Sequence, residues 1–111
     1  MIWKWEAILK AAVLYEVGKK LEIIDLNIGK PKQGEVLVNM KAAGVCASDH
    51  HVIHGQIPYP TPIVLGHENA GIVEEIGENV QGIEPGDSVI MSFVSSCGNC
   101  AVSYTHLRAH E

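Results

Sequence analysis

Two groups of residues in this chain carry side chains that could do chemistry. Cys46 stands in Gly44-Val45-Cys46-Ala47-Ser48-Asp49-His50-His51, and His67 stands in Gly66-His67-Glu68. A thiolate and an imidazole are ligands that zinc favours, and a catalytic zinc takes three protein ligands and keeps a further position open. Two donors here leave room for a third supplied elsewhere. A glycine stands shortly before each donor, Gly44 and Gly66, where the backbone could turn sharply around an ion. A carboxylate follows each, Asp49 and Glu68, of the kind that receives the second ring N–H of a metal-bound imidazole. Against this, an isolated cysteine commonly serves as a small buried apolar residue. Cys46 and His67 are also distant in sequence, so spacing alone leaves the metal reading open.

The second group is Cys97-Gly98-Asn99-Cys100, a turn of the zinc-knuckle kind in which the glycine allows both sulfurs to reach one ion. A closed structural zinc site needs four ligands, and two thiolates alone should bind weakly. A Cys-x-x-Cys pair can also be a redox motif with a lowered thiol pKa, but the βαβ context of such enzymes is missing. His106 and His110 offer a Cys2His2 alternative, yet Cys100 and His106 are too close to admit the helix of a zinc finger. His50-x-x-x-His54 would put two imidazoles on one helical face. Without the glutamate of a protease motif between them, these read as solvent-exposed helix positions.

The elements that must position these groups are mostly strands. Residues 10–16 form a β-like run closed by Val17-Gly18-Lys19, residues 21–26 a partner strand, and residues 31–34 a turn. Val36, Val38, Met40 and Ala42 alternate with Leu37, Asn39 and Lys41, the period of a half-buried strand. Residues 44–55 break that period and predict a short helix with Ser48 or Asp49 as N-cap. Pro58, Pro60 and Pro62 then enforce an extended loop. Strands are predicted at residues 70–76 and 88–93, with Glu84-Pro85-Gly86-Asp87 as a turn between them. Short strands separated by Gly and Pro turns predict a mainly β fold, a small barrel or sandwich with one or two short helices. Residues 1–9 show no period and read as an extension. Residues 103–111 hold the only arginine, Arg108, and two of the six histidines. That composition break reads as vector or adapter sequence and is set aside from fold reasoning.

Composition narrows the function classes. The chain has 111 residues, 47% hydrophobic and 19% charged, with a formal net charge of −5. That suits one small globular domain whose core, with aromatics at 5%, must rest on aliphatic residues. With no basic run and no interleaving of arginine with aromatics, nucleic-acid binding has no electrostatic support. No apolar run reaches membrane-spanning length, and no signal-peptide layout is present, so the expected compartment is the cytoplasm. Three cysteines are too few for a disulfide framework.

Lys10-Ala11-Ala12-Val13-Leu14-Tyr15-Glu16, Gly44-Val45-Cys46 with Ser48-Asp49, Gly66-His67-Glu68 with Gly71-Ile72-Val73, Ile76-Gly77 and Pro85-Gly86-Asp87 occur in one order. Together, over residues 10–102, they resemble the zinc-containing medium-chain alcohol dehydrogenases. The resemblance implies a GroES-like β-barrel domain, incomplete here, followed in the family by a Rossmann domain that binds NAD or NADP. It implies that Cys46 and His67 are two of three catalytic zinc ligands, the third being a cysteine beyond residue 111. Glu68 would stand behind the metal and Asp49 would hold the His67 ring. Ser48 would accept the substrate hydroxyl proton, and His51 would pass it to solvent through the cofactor ribose. Ala47 departs from the polar or basic residue that many members place near the cofactor phosphate. Cys97 and Cys100 would begin a structural zinc lobe, but Ser103 and Glu111 stand where its other two cysteines are expected.

The function so implied is hydride transfer from an alcohol to NAD(P), with a small-molecule alcohol or aldehyde as partner, in a full-length homodimer or homotetramer. No Gly-x-Gly-x-x-Gly occurs in the chain, so the chain alone is expected to show no dehydrogenase activity. A stand-alone zinc-binding GroES-like module without catalysis is the alternative. A catalytically silent, zinc-free member of the superfamily is a third, against which Cys46 and His67 both argue.

Overall fold

The computed structural model describes residues 8–94, 96–97 and 100–101. Six strands and one helix make up the described chain. The first strand, β1 (Ile8–Leu14), runs antiparallel to β2 (Glu22–Asn27) with Ala11 opposite Ile24. It starts two residues earlier than the sequence period suggests, because Ile8 and Leu9 pair with Asn27 and Leu26. On its other edge β1 pairs with β4 (Ile63–Val64), a two-residue strand in the segment expected to be an extended loop. A second sheet has the order β3 (Val36–Ala43), β5 (Asn69–Ile76), β6 (Ser88–Met91), all antiparallel. Two three-stranded antiparallel sheets and one short helix make the mainly β architecture that the sequence predicts.

The core is small. Val13 and Leu14 of β1, Val52 of the helix and Val73 of β5 are the buried apolar residues, with Leu14 wholly enclosed. Enclosing a leucine or valine of this kind contributes about 2 kcal/mol. The alternation read along β3 does not appear in its burial. Val36, Leu37 and Val38 are all half-buried and residues 39–43 are all exposed, and the register with β5 shifts between Leu37 and Val38 and again between Met40 and Ala42. Each such irregularity turns the strand and re-aims the residues after it. The turn at Glu84-Pro85-Gly86-Asp87 closes as expected: Asp87 N–H donates to the Glu84 carbonyl at 3.1 Å, and the Asp87 carboxylate accepts from Glu84 N–H at 2.9 Å.

The helix, α1 (Ala47–Ile53), begins earlier than the Ser48 or Asp49 cap expected from sequence. Its N-cap is Cys46, in extended backbone. Asp49 acts from the third helical position, its carboxylate accepting from the Cys46 N–H at 3.2 Å. That reach-back is half of a capping box, and it is why the acidic residue sits inside the first turn. At the other end, the Ile53 carbonyl accepts from Gly18 N–H at 2.7 Å, which ties the helix to the β1–β2 turn. Residues 1–7 of the expected extension and the expected tail at residues 103–111, with His106 and His110, lie outside the described residues. No helix among those described is long and apolar enough to cross a membrane.

Candidate metal centre

The end of β3 and the start of β5 lie side by side, with Ala43 opposite Asn69 and Gly44 N–H donating to the Glu68 carbonyl at 2.7 Å. This pairing closes the gap in sequence between the two chemical segments. Cys46 leaves β3 into α1, and His67 and Glu68 lead into β5. One donor atom each from Cys46, His67 and Glu68 lies within 4.8 Å of the others. Among the described residues this is the one group of three thiol, imidazole or carboxylate donors close enough to share an ion.

Around these donors the hydrogen bonds are continuous. The Ser48 hydroxyl donates to the Cys46 sulfur at 3.2 Å and meets His67 Nε2 at 3.2 Å. Asp49 divides its carboxylate between two tasks: Oδ2 accepts from the Cys46 N–H, and Oδ1 lies 3.2 Å from His67 Nδ1. A carboxylate can only accept, so the ring proton belongs on Nδ1 and Nε2 is turned toward the sulfur. The Ser48 hydroxyl and backbone N–H, then the His67 ring, hold the Cys46 thiol below its ordinary value of 9.0, against burial and the Glu68 charge. The same contact acts on the imidazole. The Cys46 sulfur, opposed by burial and aided by Asp49, raises His67 above its ordinary 6.5. The Ser48 hydroxyl stands between the sulfur and the ring, 3.2 Å from each.

Two depressions meet at this cluster. One, of about 690 Å³, is lined by Gly44, Cys46, Ser48, His67, Glu68 and Phe93, among others. The second, of about 530 Å³, shares Ser48, His67 and Phe93 and is walled mainly by apolar residues, with Val52, Ile57, Tyr59 and Leu65 among them. Phe93 stands edge-on to the His67 ring, with centroids 5.5 Å apart at 70°. It is absent from the sequence-based candidates. A strand through residue 93 would have made it an ordinary strand residue, but β6 ends at Met91. Its one signal in the sequence is that it is the only phenylalanine.

The two glycines near the donors play different parts. Gly66 has φ of 139°, a conformation that favours glycine, as the sharp-turn reading requires. Gly44 has no positive φ, which corrects that reading at this position. What Gly44 gives is room: a Cβ there would run into the Glu68 carboxylate. The remaining candidates stand apart. His51 is exposed on α1, its carbonyl accepting from Gln56 and Ile57 N–H. The His50 and His54 rings stack with centroids 4.0 Å apart, both exposed. Cys97 and Cys100 are exposed and do not join the Cys46 group.

Residues 32–110 match the family of alcohol dehydrogenase GroES-like domains. The chain is 49% identical over 90 residues to a protein given the name alcohol dehydrogenase D in Mycobacterium tuberculosis, covering 81% of this chain and 24% of that protein. It therefore spans about a quarter of the length of the curated relatives it matches. Among solved structures, benzyl alcohol dehydrogenase of Acinetobacter calcoaceticus superposes with a TM-score of 0.81 at 40% identity, over 89% of this chain and 27% of that one. A zinc-binding dehydrogenase of Sinorhizobium meliloti 1021, bound to NADP, superposes with a TM-score of 0.78 at 36% identity, over 88% of this chain and 28% of that one.

Proposed function

The chain belongs to the alcohol dehydrogenase GroES-like domain family, and from that premise we propose that it forms the zinc-holding part of an oxidoreductase acting on an alcohol with NAD or NADP. The observation that carries this reading is the convergence of Cys46, His67 and Glu68 donor atoms within 4.8 Å, with the Ser48 hydroxyl touching two of the three residues. A thiolate, an imidazole and a carboxylate at that spacing suit a divalent zinc ion. Cys46 and His67 would hold the ion, with Glu68 beside it. When bound, zinc would supply a Lewis acid that acidifies an alcohol hydroxyl, and the nicotinamide would supply the hydride acceptor.

The chain's own residues do the rest. Asp49 fixes the tautomer and tilt of His67, as carboxylates behind ligating histidines do. Ser48, in contact with both Cys46 and His67, would take the substrate hydroxyl proton. His51, exposed on the same helix, would release that proton to solvent. The apolar wall of Val52, Ile57, Tyr59 and Phe93 would exclude water and seat the carbon skeleton of the alcohol. The named relatives support this class of substrate, one of the solved structures being a benzyl alcohol dehydrogenase. The relatives' greater length is where the nicotinamide site and the remaining zinc donor would be found.

A chimera tests the reading. Residues 8–94 of this chain replace the matching segment of the benzyl alcohol dehydrogenase, and NAD(P)-linked oxidation of benzyl alcohol is measured. The expected result is an active, zinc-containing chimera that Cys46→Ala inactivates with loss of the metal. A folded, zinc-loaded chimera without activity, or full activity after Cys46→Ala, would overturn it.

A further inference from the structure

The carboxylate of Glu68 stands beside Cys46 and His67. Among the described residues its side chain has no hydrogen-bond or ion-pair partner, although the residue is exposed and adjoins the strand start. What leaves it room there is the missing side chain of Gly44. A Cβ built on Gly44 would overlap the Glu68 carboxylate oxygen Oε2, and would also come within 3.0 Å of Glu68 Cβ and 3.2 Å of Cδ. The backbone at Gly44 does not need glycine, since its φ is not positive. The missing side chain is therefore a slot and not a hinge.

The two residues are also locked across the sheet end. Gly44 N–H donates to the Glu68 carbonyl at 2.7 Å, next to the Ala43–Asn69 pair. Residue 68 cannot back away from residue 44 without breaking that bond. Any side chain at position 44 must displace the carboxylate instead, and both residues line the depression that holds the Cys46 sulfur.

We propose that Gly44 is a positioning residue: its empty Cβ site is the slot that keeps the Glu68 carboxylate beside Cys46 and His67. This rests on the zinc reading only for its consequence on metal affinity, because the slot itself is a property of the metal-free fold.

Two readouts on the 111-residue chain test it. In the metal-free protein, proton NMR should show contacts between the Gly44 Hα atoms and the Glu68 Hγ atoms. In Gly44→Ala the contacts from residue 44 to the Glu68 side chain should be lost, while backbone contacts across Ala43–Asn69 remain. In a cobalt(II) titration, Gly44→Ala should weaken binding roughly 10- to 100-fold, the range for residues that place a ligand. Glu68→Ala should weaken it as much, and the double variant no further. Glu68 contacts and cobalt affinity both unchanged in Gly44→Ala would overturn the proposal. If the wild-type chain takes up no cobalt, the zinc reading fails and the NMR contacts alone decide the slot. If Gly44→Ala disrupts the sheet, recovery of the fold in Gly44→Ala/Glu68→Ala places the clash on the Glu68 side chain, and failure to recover counts against it.

Discussion

Two replacements of Asp49 should separate the two tasks of its carboxylate. One oxygen accepts from the Cys46 N–H and starts α1; the other holds His67 Nδ1. Asp49→Ala removes both. Loss of a side-chain cap of this kind costs about 1 kcal/mol. Total stability of such a domain is of order 5–15 kcal/mol, and with a urea m-value of about 1–1.5 kcal/mol/M the midpoint should fall by about 0.7–1 M. Metal affinity should fall roughly 10- to 100-fold, because the ring loses its orienting partner. Asp49→Asn keeps an oxygen for the Cys46 N–H, so its stability loss should be only about a few tenths of a kcal/mol. Its amide N–H2, however, faces the Nδ1 proton, and the ring must move that proton to Nε2, the atom turned toward Cys46. Affinity in Asp49→Asn should therefore drop at least as far as in Asp49→Ala. Urea denaturation of the metal-free chain and cobalt(II) titration measure the two quantities separately. An Asp49→Asn variant that loses the stability of Asp49→Ala but keeps wild-type affinity would refute this division of labour.

Other expectations rest on separate observations. Ser48 is the largest influence lowering the Cys46 thiol, so alkylation of Cys46 in metal-free protein should have a midpoint below pH 9.0, and Ser48→Ala should move it up; mass spectrometry of the Cys46 peptide reads this directly. The sign for stability follows: the lowered thiol contributes above its unfolded value of 9.0 and loses that contribution as pH falls through its folded value. His67 does the reverse, contributing below 6.5 and losing it as pH rises through its raised folded value. Leu14→Ala, in the fully enclosed position of β1, should cost about 3 kcal/mol by urea denaturation, and an unchanged midpoint would place the core elsewhere.

How far the sequence could reach is clear at particular residues. Turn chemistry was readable at Glu84-Pro85-Gly86-Asp87 because Pro, Gly and Asp there each act locally. The strand β4 was not readable, because Ile63 and Val64 follow a proline-rich stretch and pair only through tertiary contact with β1. Along β3 the period of two is absent from the burial, and the strand's register shifts with β5 are encoded by no local pattern. The helix was legible, but its cap was misplaced because Asp49 works backward on Cys46. In the site, residue types pointed to Cys46, His67, Asp49 and Glu68, while their meeting depends on the β3–β5 pairing. Phe93 and the room given by Gly44 depend on three-dimensional contact and left almost no trace in the sequence.

X-ray absorption at the zinc edge is the most direct probe of the centre. The sample is the chain with Cys97→Ser and Cys100→Ser, loaded with one equivalent of zinc. The expected first shell contains one sulfur near about 2.3 Å and nitrogen or oxygen donors near about 2.0 Å, and Cys46→Ala removes the sulfur. A shell without sulfur, or zinc uptake that vanishes with the Cys97 and Cys100 replacements alone, would contradict a metal held by Cys46 and His67.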